Sequence, residues 1–252
     1  YKGPSGNRSL TRSAGVFGNF NYSWDNRYLV DVTGRLDGSS NFASKQRSAP
    51  FWSVGVRWNI YNESFMRSHG IFENLAIRAN IGTVGNSNFQ LSQIMTLYNY
   101  MKMYDGVMGA EIMSIANRKL KWQTTTNRNI GLEFSMLKGL MNFDFNFYSN
   151  TTNNNLTDIA ILPSTGFTTY KANMGKVRNQ GLEFALSVTP VRTKDWRLNV
   201  FVNGARNKNK LLSISDALKD YNETVKENQT SGTGKTKLER VFMFEEGKSL
   251  NS

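Results

Sequence analysis

Between Arg12 and Trp24 the residues Ala14, Val16, Gly18, Phe20, Tyr22 and Trp24 take every second place, with Ser13, Gly15, Phe17, Asn19, Asn21 and Ser23 between them. A period of two predicts a strand with two unlike faces. After Asp25-Asn26-Arg27 the alternation resumes, with Tyr28, Val30, Val32 and Leu36 on one side and Asp31, Thr33, Arg35 and Asp37 on the other. The spacing predicts a hairpin closed by a three-residue turn. The pattern returns at Trp52, Val54, Val56, Trp58 and Ile60, and at Leu75, Ile77, Ala79 and Ile81.

A third pair runs from Ile130, Leu132, Phe134 and Met136 through Lys138-Gly139 into Met141, Phe143, Phe145 and Phe147. A tight turn there sets Met136 against Met141, Phe134 against Phe143 and Glu133 against Asp144. A fourth pair sets Leu182, Phe184, Leu186 and Val188 against Trp196, Leu198, Val200 and Val202 across a turn containing Pro190. The expectation is all-β, with about eight antiparallel strands in four hairpins.

Charge distinguishes the faces. Asp31, Arg35, Arg57, Arg78, Glu133, Asp144, Glu183 and Arg197 all fall on the polar face, while the apolar face holds only Arg128, near a strand end. A charge facing lipid at the bilayer midplane costs about 2–4 kcal/mol, so a transmembrane barrel wall requires this segregation. The inner face of a β-sandwich would show it too. Strands of about ten residues rise about 25 Å when tilted by about 40°, the height of a barrel's apolar band. Turns within the hairpins are short, whereas Asn86 to Lys121 and Thr151 to Lys176 read as long connections. Short turns on one rim and long loops on the other describe an outer-membrane barrel. Trp24, Tyr28, Trp58 and Trp196 gather at the short-turn rim, either as an interfacial aromatic girdle or as ordinary hairpin aromatics.

Composition agrees with strands and turns: 12% of the 252 residues are aromatic and 21 are Gly. A mean hydropathy of −0.48 and the lack of an 18-residue apolar run exclude a transmembrane helix but not a barrel, whose strands average to polar. The net charge of +12 comes from dispersed Lys and Arg, which speaks against nucleic acid and leaves anionic lipopolysaccharide or acidic substrates as partners. Cysteine is absent, and no apolar leader segment opens the chain.

Several segments resemble one family, the SusC/RagA-type TonB-linked outer-membrane transporters of Bacteroidetes. They are Asn26-Arg27-Tyr28-Leu29 with Arg35-Leu36-Asp37-Gly38-Ser39-Ser40-Asn41-Phe42, then Leu120-Lys121-Trp122-Gln123-Thr124-Thr125-Thr126 with Asn129-Ile130-Gly131-Leu132-Glu133-Phe134. Leu162-Pro163-Ser164-Thr165-Gly166-Phe167 and Asn173-Met174-Gly175-Lys176-Val177-Arg178-Asn179-Gln180-Gly181-Leu182-Glu183-Phe184 follow in order. Glu246-Gly247-Lys248-Ser249-Leu250 resembles the entry to a further barrel segment. The resemblance implies a 22-stranded barrel closed by a plug. Residues 1–252 are then one section of its wall, with the plug and the C-terminal strands outside this chain. It implies import of a glycan or oligopeptide across the outer membrane without covalent chemistry, cofactor or metal. A SusD-like surface lipoprotein and the TonB complex are the implied partners, with surrounding lipid and lipopolysaccharide. A soluble extracellular β-domain that binds carbohydrate or protein, and a passive porin, are the alternatives.

Three features bear on chemistry. Asn-x-Gly-Leu-Glu-Phe occurs at Asn129 to Phe134 and at Asn179 to Phe184; its Gly predicts close approach by a neighbour and its Glu faces the polar side. Glu133 opposed to Asp144 would repel, so Arg78 and Arg197, or a plug cation, are expected to neutralise the pair. Tyr98, Tyr100, Tyr104, Trp122, Phe167 and Tyr170 in the long connections could stack on sugar or grip peptide, or pack loop against loop or against the partner lipoprotein. His69, the only histidine, reads as a solvated residue of the polar Tyr61 to Gly70 turn, where a short helix is expected. Thr233-Gly234-Lys235-Thr236 fails as a phosphate loop because Gln229 stands where the first glycine is required. Lys219 to Thr236 reads as an outside loop.

Overall fold

A computed structural model describes residues 10–40, 47–67, 70–86, 96–104, 107–114, 117, 120–160, 166–167, 169–216, 218–220, 222–223, 226 and 244–249. The strands are β1 (Ser13–Trp24), β2 (Tyr28–Ser39), β3 (Ser48–Asn59), β4 (Phe72–Asn86), β5 (Leu97–Tyr104), β6 (Val107–Ser114), β7 (Gln123–Met136), β8 (Met141–Ala160), β9 (Thr169–Arg192) and β10 (Arg197–Ile214). Eight form one antiparallel sheet in the order β1-β2-β3-β4-β7-β8-β9-β10, with β1 and β10 at its edges. The expected hairpins are all present.

The tight turns set the register. Asp25 and Asn26 both take positive φ, and Arg27 N–H donates to the Trp24 carbonyl at 2.9 Å, so Trp24 pairs with Tyr28. Leu137, Lys138 and Gly139 repeat the device, and Phe134 pairs with Phe143, Met136 with Met141 and Glu133 with Asp144 as the spacing predicts. Positive φ at these tips matches the twist of the flanking strands. Between β3 and β4 the polar turn folds into a 3-10 turn (Ile60–Asn62) and the short helix α1 (Ser64–Arg67).

Four expectations are corrected. Asn86 to Lys121 is no simple loop, since β5 and β6 pair within it as a separate hairpin. Thr151 to Lys176 is mostly strand: β8 has 20 residues and β9 has 24, and only residues 161–168 connect them. Asn and Thr at successive places hid these extensions, because neither face there is apolar and no alternation marks them. Pro190 lies inside β9 rather than in the turn. It falls at a register shift opposite Leu198 and Val200, where the ladder is already broken and a residue with no N–H to donate costs nothing. The described part of Lys219 to Thr236 is helical, beside a fully buried Leu218. His69, Thr233 to Thr236, Asn41-Phe42 and most of Leu162 to Phe167 lie outside the described residues.

The longer strands change the height of the wall. Twelve residues in β1 rise about 30 Å at ordinary tilt, but the 24 of β9 rise about 60 Å, roughly twice what an apolar band needs. The exposed residues Phe20, Tyr22, Trp24, Val56, Ile130, Phe147, Leu182 and Val202 give the outer face near the short turns a continuous apolar surface. An exposed apolar area this large needs an apolar surface against it.

Buried clusters sit on the other face, near the long-loop rim. Ala49 and Phe51 pack with Leu120 and Trp122; Ala172, Val177, Leu211 and Leu218 pack with Ile214 and Phe244. Gly247 N–H donates to the Leu211 carbonyl at 2.7 Å and Leu211 N–H to the Lys248 carbonyl at 2.9 Å, which lays the Glu246 segment along β10.

Candidate functional site

Alternation and register together place Asp31, Arg35, Arg57, Arg78, Glu133, Asp144, Glu183 and Arg197 on one face. Leu29 pairs with Arg57, Arg57 with Arg78, Ala76 with Glu133, Glu133 with Asp144 and Asn146 with Glu183, all in the same parity. Two like-charged pairs therefore stand side by side, one of arginines and one of carboxylates, and each alone would repel.

Together they neutralise each other. The Arg78 guanidinium donates to Glu133 at 3.3 Å, to Asp144 at 2.8 Å and to Asn146 Oδ1 at 2.8 Å, while Arg57 donates to the other Glu133 oxygen. Asn74 adds a bond to Glu133 at 3.1 Å. The expected neutralisation of the carboxylate pair is met by Arg78, with Arg57 in the place expected for Arg197. Arg197 bonds Asn199 at 3.4 Å instead, beyond the bulge that carries it towards the rim.

The repeated motif glycines explain how such long side chains fit. Gly131 is the register partner of Arg78, and a Cβ there would lie 2.6 Å from Arg78 Nε and 2.7 Å from Asn146 Oδ1. Glycine thus lets the Arg78 side chain cross β7 to Asp144 on β8. In the second copy, a Cβ on Gly181 would meet the Arg206 carbonyl at 2.4 Å and the Tyr148 hydroxyl at 2.7 Å. The close approach expected of both glycines is present.

Higher on the same face lie two rows of amides. Asn127, Asn150, Asn179 and Asn209 are successive register partners across four strands. In the neighbouring row Asn129 donates to Asn80 at 2.9 Å. The Oδ1 atoms of Asn150, Asn179 and Asn209 are buried without a hydrogen-bond partner, and a cavity of about 590 Å³ opens over Asp31, Ser53, Asn80, Asn127, Asn129 and Asn150. Glu183 lines a second cavity of about 380 Å³ with Asp144, Asn146 and Asn203. Of the three asparagines with unpaired oxygens, only Asn150 lines the larger cavity, and a buried amide oxygen left unpaired can take a hydrogen bond from a hydroxyl or N–H group only where its side chain turns towards the space. Sequence reading missed these rows, since each Asn is unremarkable until pairing aligns it with the next.

The loop aromatics separate into two kinds. Tyr98 and Tyr100 on β5 are exposed, their ring centroids 6.5 Å apart. Trp122 is buried edge-on against Phe51 at 5.8 Å, and its segment is held by Asn154 Nδ2 to the Trp122 carbonyl and Asn173 Nδ2 to the Lys121 carbonyl, both at 3.3 Å. Two of the family-like segments thus meet in space. Phe167 is half-buried; Tyr104 and Tyr170 lie on β5 and β9, and their side chains lie outside the described residues.

At the short-turn rim Tyr28 stacks on Trp58 at 6.3 Å and leans on Trp24 at 6.1 Å, while Trp196 is exposed beside its turn. Both polar tips of the stack reach Glu63: the Tyr28 hydroxyl donates at 2.7 Å and the Trp58 indole at 3.0 Å, with Arg27 at 3.4 Å. These two hydrogen bonds and the Arg27 charge hold the Glu63 carboxyl below its ordinary range against the opposing effect of burial. Glu63 had no signal in the sequence beyond lying in the expected polar turn.

A family model described as TonB dependent receptor-like, beta-barrel, matches residues 3–238. TonB-dependent receptor P26 of Formosa agariphila is 32% identical over 232 residues, which is 89% of this chain and 23% of that protein. TonB-dependent receptor SusC of Bacteroides thetaiotaomicron is 30% identical over 207 residues, 79% of this chain and 21% of its own length. Among solved structures, the RagAB peptide transporter superposes with a TM-score of 0.76 at 29% identity over 82% of this chain and 23% of that one. The siderophore receptor PirA from Pseudomonas aeruginosa, 16% identical with a TM-score of 0.55, shares the fold. The chain spans about a quarter of the length of the relatives it matches.

Proposed function

This chain belongs to the family of TonB-dependent receptor-like β-barrels, and from that premise we propose that its sheet is a section of the wall of an outer-membrane nutrient importer. The carrying observation is a sheet with an exposed apolar outer face, a polar inner face whose charges cancel, and two edges, β1 and the part of β10 below Leu211, with no strand paired to them among the described residues. An open edge in lipid is untenable, so further strands close the barrel and a plug fills it. The inner charges and amide rows line the lumen, and Trp24, Tyr28, Trp58 and Trp196 form the periplasmic girdle.

The guest is an oligosaccharide or oligopeptide, met at the outer mouth by Tyr98 and Tyr100 and lower down by the unpaired Asn acceptors. Trp122 braces the loops above the barrel, with Phe167 and the strands bearing Tyr104 and Tyr170 around the mouth. A SusD-like lipoprotein covers that mouth, and the TonB complex acts through the plug. The wall binds and conducts and performs no covalent chemistry.

Uptake of labelled oligosaccharides and oligopeptides by cells with and without the gene tests this reading. Energy-dependent uptake of one class, abolished by a protonophore and lowered by Tyr98→Ala with Tyr100→Ala, is the expected result. Uptake indifferent to the protonophore would make the protein a passive porin, and extraction of the protein without detergent would make it a soluble domain.

A further inference from the structure

One carboxylate of the inner face stands outside its charge balance. Register runs from Asp31 on β2 to Gly55 on β3, Asn80 on β4 and Asn129 on β7, all at one level of the wall. A Cβ on Gly55 would lie 2.5 and 2.7 Å from the two Asp31 carboxylate oxygens, so this side chain lies flat across β3. Arg78 crosses Gly131 by the same device and there meets Asp144 at 2.8 Å. Asp31 crosses and meets no cation.

The inner-face arginines around it are held elsewhere. Arg57 lies two places from Gly55 on β3, but its guanidinium donates to Asn59 at 2.8 Å and to Glu133. Arg78 is shared between Glu133 and Asp144, and Arg35 pairs with Asp37 at 2.9 Å. Among the described residues none forms an ion pair with Asp31. Asp31 opens instead on the cavity of about 590 Å³, a volume within the range of ligand pockets. The polar side chains of its wall are this one carboxylate, the hydroxyls of Ser53 and Thr83, and the amides of Asn80, Asn127, Asn129 and Asn150, with no Lys or Arg among them. The net charge of +12 over the whole chain is thus reversed in sign at this place.

We propose that this cavity is a subsite for a primary ammonium group of the guest, with Asp31 as its counter-ion. An ammonium has three N–H donors and no acceptor, which matches a carboxylate flanked by hydroxyl and amide oxygens. A guest carboxylate or phosphate in the same space would face Asp31 and be repelled. A lysine side chain of an oligopeptide and the amine of a glucosamine unit carry the same group. This subsite rests on the reading of the inner face as the lumen of an importer, and it gives that lumen a charge selectivity.

The test is isothermal titration calorimetry on the detergent-purified intact protein with two matched pairs of probes. One pair is an N-acetylated Ala-Ala-Lys-Ala-Ala peptide and its Gln counterpart; the other is a glucosamine trimer and its fully N-acetylated form. The amine-bearing member of at least one pair should bind about tenfold more tightly than its neutral counterpart, and the pair that shows the difference identifies the source of the amine. Asp31→Asn should bring the two members together while heat-modifiable migration persists, and Asp195→Asn, at the exposed turn between β9 and β10, should leave the difference intact. Equal binding within both pairs, or a difference that survives Asp31→Asn, would each overturn the proposal. Should Asp31→Asn not fold, Asn129→Lys supplies the cavity with an ammonium of its own and must abolish the difference; an undiminished difference in that variant overturns the proposal equally. A failure of the importer reading shows separately, as uptake that a protonophore leaves unchanged.

Discussion

The two faces of the same strands handle charge by opposite means. On the inner face Arg57, Arg78, Glu133 and Asp144 come from four strands and cancel within one hydrogen-bonded group. On the outer face charge is sparse near the short turns and returns from the level of Leu182 upwards, at Arg206, Arg128, Lys208, Arg178 and Lys210. In the proposed membrane wall, the difference follows from what each face touches. Water and polar guests in a lumen tolerate both signs, so the chain places partners wherever register brings them close. Hydrocarbon tolerates neither sign, so the positions nearest the short turns stay apolar.

The sharpest way to break this contrast is to move a charge across. Leu132→Arg, in the outer band between Ile77 and Phe145, should destabilise the folded wall by about 2–4 kcal/mol in lipid, whereas Asn129→Lys on the inner face should cost under about 1 kcal/mol. Urea unfolding in lipid vesicles measures both. Equal costs would mean that the outer face does not meet hydrocarbon.

Next in size is Glu133→Gln, which keeps the shape and removes the charge. It leaves the register-paired Arg57 and Arg78 facing each other with Asp144, which reaches only Arg78, as the remaining carboxylate, at an expected cost of about 2 kcal/mol by the same unfolding assay. Gly131→Ala tests the crossing itself. An added methyl group must displace Arg78 and should cost about 1–3 kcal/mol, but much less when Arg78 is already Ala. A full cost in both backgrounds would show that the glycine makes room for Asn146 or serves the backbone instead of the arginine.

The smallest effect concerns the rim, where the aromatic stack is tied to Glu63. Its carboxyl is depressed below the ordinary 4.5 in the folded protein, so its contribution to stability is fully present above the unfolded value and fades as pH falls through the folded one. Glu63→Gln should therefore lower the melting temperature at neutral pH, and the gap to the unaltered protein should close in acid. A gap independent of pH would show that the carboxylate charge does not hold the stack.

Much of the sheet is legible along the chain because one apolar and one polar face impose a period of two, and tight turns at Asp25-Asn26 and Leu137-Lys138-Gly139 lock neighbours into register. Hence the opposition of Glu133 and Asp144 follows from local spacing alone. Where neither face is apolar the same logic fails. The extensions of β8 and β9 past Thr151 and the hairpin of β5 and β6 carry no periodic mark. Pro190 signals a turn until the bulge around it is seen.

Contacts between distant segments are beyond any local pattern. Tyr28 meets Glu63 across 35 positions and Arg57 meets Glu133 across 76, and neither spacing has a signature. The sequence by itself determined the eight strands of the main sheet, which face their alternating side chains take and which family the chain resembles, since these depend on near neighbours and on the contrast between an apolar and a polar face. Only the tertiary structure decided how the inner charges cancel, how the asparagines of four strands align, and how the amides of β4, β7 and β8 come to share a cavity with Asp31. Those arrangements depend on pairing between strands, and pairing is a property of the assembled sheet.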